Sequence, residues 1–196
     1  MEKIKKILKK CLEFVLPFIV QHKANKVLKE KNKNDDTIFT KNIKELSIDS
    51  LKEKYHETYK TKDKFEDKSK TNVVAITIAT TMIMGSFGLM TSLHNKYDYA
   101  FIKWMIFILL FCAIVYMLVA GILAIRVLFH ENIMYDVSIE SISKQDEDSK
   151  MEYNMAIQKN INQNIIRNNI TSASYECVRN AIACIILVFV FVALPI

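Results

Sequence analysis

Two long runs of uncharged, mostly apolar residues constrain this chain more than any other feature of its sequence. Residues 73–92 and 104–125 contain 20 and 22 residues without Asp, Glu, Lys or Arg. At about 1.5 Å per residue, an α-helix of either length covers a hydrocarbon core of about 30 Å. Both runs are therefore predicted to be transmembrane helices.

A third apolar run closes the chain at residues 181–196. Its 16 residues reach only about 24 Å as a helix, so it crosses a bilayer only if Val178 and a snorkelling Arg179 join it. Residues 177–196 are accordingly predicted to be a third transmembrane helix or a tail embedded in the membrane.

Basic residues are distributed unevenly around these runs. Nineteen Lys and Arg precede the first run, two lie between the first two runs, and six follow. The positive-inside rule places segments rich in Lys and Arg in the cytoplasm. We therefore expect a cytoplasmic N-terminus, a multi-pass topology and, if the third run spans, a C-terminus outside.

The composition favours helices and gives no support to several classes of function. With 51% hydrophobic residues, 3 Gly and 2 Pro, the chain has little material for strands and turns. An all-α membrane protein is therefore predicted. The first 70 residues carry Lys but no Arg, which fits anionic lipid better than nucleic acid. Scattered Cys and His, and the absence of a catalytic motif, predict no metal, no cofactor and no enzymatic activity.

Residues 1–31 are predicted to be a basic amphipathic helix that is kinked or restarted at Pro17. One interpretation is an in-plane anchor whose lysines are attracted to anionic headgroups. The other is a helix that packs the same apolar stripe against the protein itself. That stripe consists of Ile4, Leu8, Cys11, Val15 and Phe18.

Long cytoplasmic extensions are predicted below the membrane runs. A linker at 32–49 precedes a helix at 50–72, which a capping box of Ser50 and Glu53 would start and which continues into the first run. Residues 126–176 are predicted to be cytoplasmic helices: a short one containing Ile133, Val137 and Ile142, and a long one from Met151 that packs beside the helix at 50–72. The asparagines of residues 160–169 could form a binding surface, but an exposed helical face is the simpler interpretation.

The first apolar run carries small and polar residues along one stripe. Such a stripe can line a narrow aqueous path when several copies assemble, because hydroxyl groups replace part of an ion's hydration. It can equally serve close helix packing, because small residues let backbones approach. The stripe is made of Thr77, Thr81, Gly85, Gly88 and Ser92.

The layout as a whole resembles a known group of proteins. A Tyr- and Lys-rich helix, EKYHETYKTKDKFEDKSK at residues 53–70, runs into a Thr-containing first span, a short outer turn, a second span and a cytoplasmic helical tail. This arrangement resembles the SLATT group of small bacterial membrane effectors over about residues 45–175. It is more loosely similar to the transmembrane effectors of cyclic-nucleotide-based Pycsar defence.

The resemblance implies a homo-oligomer of the bacterial inner membrane that permeabilises the membrane in anti-phage defence, triggered from the cytoplasm. Because this chain has no recognisable nucleotide-sensing domain, a separate cytoplasmic sensor protein would supply the trigger. The predicted cytoplasmic helices at 50–72 and 126–176 together form a stalk. Its candidate signal-receiving residues are Tyr55, Tyr59 and Phe65. The alternative functions are a non-conducting scaffold or regulatory subunit for a soluble partner and, more weakly, an immunity or antitoxin-like protein.

Overall fold

The computed structural model describes residues 13–34, 46–96, 100–131, 133–143 and 147–193, and their side chains except at 34, 86–96, 143 and 193. Every regular element in these ranges is an α-helix, which confirms the predicted all-helical fold there. The helices are α1 (Pro17–Asn34), α2 (Ile48–Lys96), α3 (Ala100–Phe129), α4 (Ile139–Ser143) and α5 (Glu147–Ala193).

Two of these helices are far longer than a bilayer is thick. The 49 residues of α2 reach about 73 Å, and the 47 residues of α5 reach about 70 Å. The predicted helix at 50–72 and the apolar run at 73–92 are thus one continuous helix, as the lack of Pro and Gly before Gly85 indicates. The third apolar run likewise continues a long polar helix.

The start of α2 differs from the prediction. The helix begins at Ile48, and the Ser47 hydroxyl accepts a hydrogen bond from the Ser50 backbone N–H at 3.2 Å. Ser47 is therefore the N-cap, and Ser50 lies inside the first turn rather than capping it. The predicted Ser50–Glu53 capping box is wrong, because the helix already begins at Ile48, directly after the Ser47 that caps it.

Helix α5 is the central element and packs against each of the other four helices. It runs parallel to α2, as the predicted side-by-side packing of the two long helices requires. Three side-chain contacts between them keep one sequence offset of 102 residues, which fixes a single register. These contacts join Thr58 with Asn160, Ser69 with Thr171, and Asn72 with Ser174.

Helix α3 runs antiparallel to α5. At the end of the apolar runs that continues into the long polar helices, the Ser174 hydroxyl donates to the Ala120 carbonyl at 2.7 Å. Near the other end, Val188 of α5 packs with Ile106 and Leu110. This register brings the three apolar runs to one height, where a core cluster forms from Ile83, Ala113, Met117, Ala120, Cys177, Val178 and Ala181.

Helix α1 descends along the outside of α5. The Asn169 amide donates to Asn25 and the Asn162 amide donates to Asn32, each at 2.8 Å. Phe18 packs against the core cluster of the apolar segment. The predicted restart at Pro17 is confirmed. Of the two described stripe residues, Phe18 packs on the protein and Val15 is exposed. The stripe residues Ile4, Leu8 and Cys11 lie outside the described residues.

The segment between α3 and α5 is less helical than predicted. Residues 133–138 have no regular structure, and only Ile139–Ser143 forms a short helix. Val137 is buried beside Leu51 and Tyr153, and the Tyr135 N–H donates to Asn160 at 2.7 Å. Tertiary contacts therefore replace the helical hydrogen bonds that the apolar spacing of this segment had indicated.

We predict that Ser47→Ala lowers the free energy of unfolding by about 1 kcal/mol, because the N-cap hydroxyl satisfies a backbone donor at the start of α2. Ser50→Ala is the matched control and should cost less than half as much. Thermal unfolding of the detergent-solubilised chain, followed by circular dichroism, measures both. If Ser50→Ala lowers the free energy of unfolding more than Ser47→Ala does, Ser50 rather than Ser47 caps the helix.

Candidate functional site

The described part of the small-residue stripe lies on the outer surface of α2. Thr77, Thr81 and Gly85 are all exposed, whereas Ile76 and Ile83 of the same helix pack into the core. A Cβ atom built on Gly85 would meet nothing within 4 Å. The surroundings of Gly88 and the side chain of Ser92 lie outside what the structure describes.

The two threonine hydroxyls of this stripe bond to the helix itself. Thr77 donates to the Val73 carbonyl at 3.0 Å, and Thr81 donates to the Thr77 carbonyl at 2.9 Å. Such bonds satisfy the hydroxyl donor in an apolar environment. Among the described residues, the stripe therefore does not take part in packing between helices at these three positions.

The predicted signal-receiving tyrosines meet a carboxylate from a distant part of the chain. Tyr55 donates to Asp136 at 3.1 Å, Tyr59 donates to the same oxygen, and the two tyrosine oxygens lie 2.9 Å apart. Desolvation and the hydrogen bond to Asp136 raise the pKa of Tyr59 far above its ordinary value. The cluster ties α2 to the segment before α4.

Phe65, the third predicted stalk residue, lies apart from the tyrosines. It lines a groove of about 430 Å³ between α2 and α5, together with Ile161 and Ile165. The structure thus does not bring the three stalk residues into one site. It places two of them in a polar contact and one in an apolar groove.

A buried ionic cluster below the apolar segment is the polar centre of the stalk. The Arg167 side chain is 0% exposed. Its guanidinium donates to the Glu131 carbonyl at 2.7 Å, to the Ile133 carbonyl at 2.7 Å and to Asn164 at 2.6 Å. Arg167 therefore fixes the chain to α5 just after α3 ends.

Glu131 is the anionic member of this cluster and is 2% exposed. One carboxylate oxygen lies 2.6 Å from Lys29 and 3.2 Å from Arg126, and the other accepts from Gln163 at 3.1 Å. Burial alone would raise the pKa of Glu131, but these partners outweigh it and hold the pKa below its usual range. A single carboxylate thus joins α1, α3 and α5.

The sequence contains a weak signal for this cluster. Arg167 is a lone cation among isoleucines and asparagines, and Glu131 is a lone anion after a long apolar helix. Isolated charges in such settings are candidates for buried pairs. Their partnership could not be predicted, because Arg167 and the carbonyl it binds are 36 residues apart.

The interpretation of the asparagines as an exposed face is wrong. Asn160 and Asn164 are buried between α5 and α2, where the Asn164 amide donates to the Thr58 carbonyl at 2.8 Å. Asn162 and Asn169 contact α1. These four amides therefore form contacts between helices rather than a solvated surface, and only Asn168 of this stretch is exposed as predicted.

Comparison with models of protein families, with curated proteins and with solved structures finds no match to this chain. The SLATT resemblance therefore remains a prediction from the layout and the quoted residues. In the described ranges, no three His, Cys, Asp or Glu side chains lie together as a metal site would require.

We predict that Arg167→Met lowers the free energy of unfolding by about 3 kcal/mol, because two backbone carbonyls and Asn164 lose a charged donor. Arg179→Met is the matched control on the same helix. Arg179 is exposed and stacks on Phe14 with its Cζ atom 4.5 Å from the ring centroid, so we expect a loss of about 1 kcal/mol or less. Chemical denaturation of both variants in detergent measures the difference, and equal losses would contradict the assigned role.

The Glu131 pKa predicts a pH dependence of stability. Because folding lowers this pKa from 4.5, the carboxylate stabilises the fold above the unfolded-state pKa, and this contribution is lost as pH falls through the folded-state value. The wild-type melting temperature should therefore drop between about pH 5 and pH 3. The Glu131→Gln variant should be less stable at pH 7, and its melting temperature should fall less over the same pH range. If its melting temperature falls as much as that of the wild type, Glu131 is not the source of the pH dependence.

Proposed function

We propose that this chain is a bacterial inner-membrane effector that oligomerises and permeabilises the membrane in response to a cytoplasmic trigger, in anti-phage defence. The apolar runs of α2, α3 and α5 together form a belt of exposed apolar side chains. The observation that carries the proposal is a surface of polar and small residues, Thr77, Thr81 and Gly85, on an outer helix face within this apolar belt. The defence setting rests on the SLATT resemblance alone.

Exposed apolar side chains support insertion into a membrane. The described residues include two helices that are long and apolar enough to cross one, α3 and α5, and only 28% of each apolar window is buried. A core helix of a soluble protein would be mostly buried, and exposed apolar surfaces of this extent mark membrane or protein contacts. Among the exposed side chains are Trp104, Phe111, Leu118 and Ile122 of α3, Ile186 and Phe189 of α5, and Ile78 and Met82 of α2.

The position of the stripe supports a function in assembly. Within the apolar belt, lipid and another protomer are the available neighbours for an outward helix face. Glycine and threonine permit close helix approach in a bilayer and leave carbonyl and hydroxyl oxygens accessible to ions or water. A ring of α2 helices meeting at this stripe would combine both properties.

The long stalk supports a trigger from the cytoplasmic side. The continuous α2 and α5 connect Tyr55, Tyr59 and the Phe65 groove with the apolar belt without a break in either helix. A partner or ligand that displaces Asp136 from the tyrosines would act on one end of a helix whose other end carries the stripe. The separate sensor protein is expected to bind at this end.

We predict that Gly85→Leu abolishes permeabilisation. Gly85 is exposed and a Cβ atom there meets no other described element within 4 Å, so the leucine should leave the fold intact while separating α2 helices of adjacent copies. Gly121→Leu is the matched control, because Gly121 of α3 also has open space around it. Membrane potential, read with a voltage-sensitive dye after induced expression, measures the effect, and cross-linking reports the oligomer.

The wild type and Gly121→Leu should depolarise cells, and Gly85→Leu should not. Equal depolarisation by both variants would remove the stripe from the mechanism. An intact potential for the wild type, with or without phage infection, would contradict permeabilisation altogether.

The alternative is a non-conducting scaffold or regulatory subunit for a soluble partner. The observation that favours it is the 430 Å³ groove of the stalk, where Phe65, Ile161 and Ile165 offer an apolar contact between polar helices. In that case, a soluble protein co-purifies with the wild type and is lost in Ile165→Asp, while Gly85→Leu retains it and no ion flux occurs.

A further inference from the structure

A second cavity lies at the base of the apolar belt, where α1, α3 and α5 meet. Its volume is about 350 Å³. Phe18 of α1, Leu123 of α3 and Ile170 of α5 form its apolar lining, and Lys23, His22 and Arg126 supply polar groups. No part of the proposed mechanism uses this cavity.

The charge around the cavity is positive. Lys23 and Arg126 line it, and no acidic side chain among the described residues does so. Arg126 contacts a described carboxylate, that of Glu131, and the oxygen it contacts also pairs with Lys29. Two cations thus share one carboxylate, and Lys23 adds a third positive charge. The cavity therefore has an excess of positive charge, which suits an anionic ligand.

The height of the cavity matches the expected membrane surface. Ile170 lies one turn below Ser174, which contacts the Ala120 carbonyl beneath the core of the apolar belt. Arg126 directly follows the run at 104–125, and Ile122 and Ile125 on the same helix are exposed apolar side chains. A ligand in the cavity would therefore have its charged group beside Arg126 and an open apolar surface above it.

We propose that this cavity binds the phosphate group of an anionic phospholipid, with Lys23 and Arg126 at the phosphate and Phe18, Leu123 and Ile170 against the proximal acyl chain. Basic pockets between membrane helices on the cytoplasmic side suit such headgroups. The lipid would join α1 to α3, which also share the Glu131 carboxylate and apolar contacts such as that of Leu28 with the cluster that contains Val127. The inference rests on the proposed membrane insertion and adds a specific partner to it.

Short-chain lipids test the pocket in the detergent-solubilised full-length chain. Dihexanoyl phosphatidylglycerol, dihexanoyl phosphatidylcholine and inorganic phosphate are titrated separately, and microscale thermophoresis measures each dissociation constant. We expect the phosphatidylglycerol to bind at least about tenfold more tightly than the phosphatidylcholine, by analogy with the contribution of two basic side chains at a lipid surface. Inorganic phosphate should bind more weakly than phosphatidylglycerol.

Lys23→Gln should weaken phosphatidylglycerol binding about fivefold. Lys26→Gln is the matched control: Lys26 lies on the same helix, its side chain is 72% exposed and it pairs with Glu30 at 3.9 Å. It should change the dissociation constant less than about twofold. Because Lys23 is also exposed, the variant is expected to fold, and circular dichroism checks this.

Equal binding of the two lipids, or equal effects of the two lysine variants, would overturn the proposed lipid site. Phosphate binding as tight as that of phosphatidylglycerol would also overturn it, because free phosphate would then be the ligand. Alkaline carbonate extraction of cell membranes separates these failures from that of the proposed function. A chain released by carbonate contradicts membrane insertion. A chain retained in the pellet that shows no lipid preference contradicts only the pocket.

Discussion

The register of α5 against its neighbours is the constraint on which the remaining architecture depends. Polar side chains, rather than apolar ones, specify it: hydroxyl and amide groups face α2, amides face α1, and Arg167 holds the chain that follows α3. A shift of one helix past another would leave these buried groups unpaired, at a cost of about 1–3 kcal/mol each. Apolar packing alone tolerates such a shift more easily.

This polar register explains why the apolar runs align. The runs of α2, α3 and α5 are far apart in sequence and differ in length, yet they reach one height because the stalk contacts below them are fixed. The ionic cluster of Arg167 and Glu131 lies directly beneath that height. The stalk is therefore more than an extension of membrane helices, since it determines how the apolar surfaces meet.

The long helices could be predicted from the sequence, but which face of each helix is buried could not. Continuous helices from the stalk into the apolar runs followed from composition and from the scarcity of Pro and Gly. The asparagines of α5 were misread because polar spacing is the same for a solvated face and for contacts with flanking helices. Arg167 and Glu131 were missed because their contact is nonlocal. The outward direction of Thr77 and Thr81 depends on where α3 and α5 pack, which periodicity does not reveal.

The open space around Gly85 has an energetic consequence for the protomer. Glycine within a helix costs about 1 kcal/mol relative to alanine, because it has more backbone freedom to lose on folding. A Cβ atom at this position would meet no described atom within 4 Å beyond the backbone of its own helix, so the exchange to alanine would favour the helix without a clash with another described element. No described neighbour within the protomer therefore accounts for glycine at this position, whereas the close approach of a second molecule would.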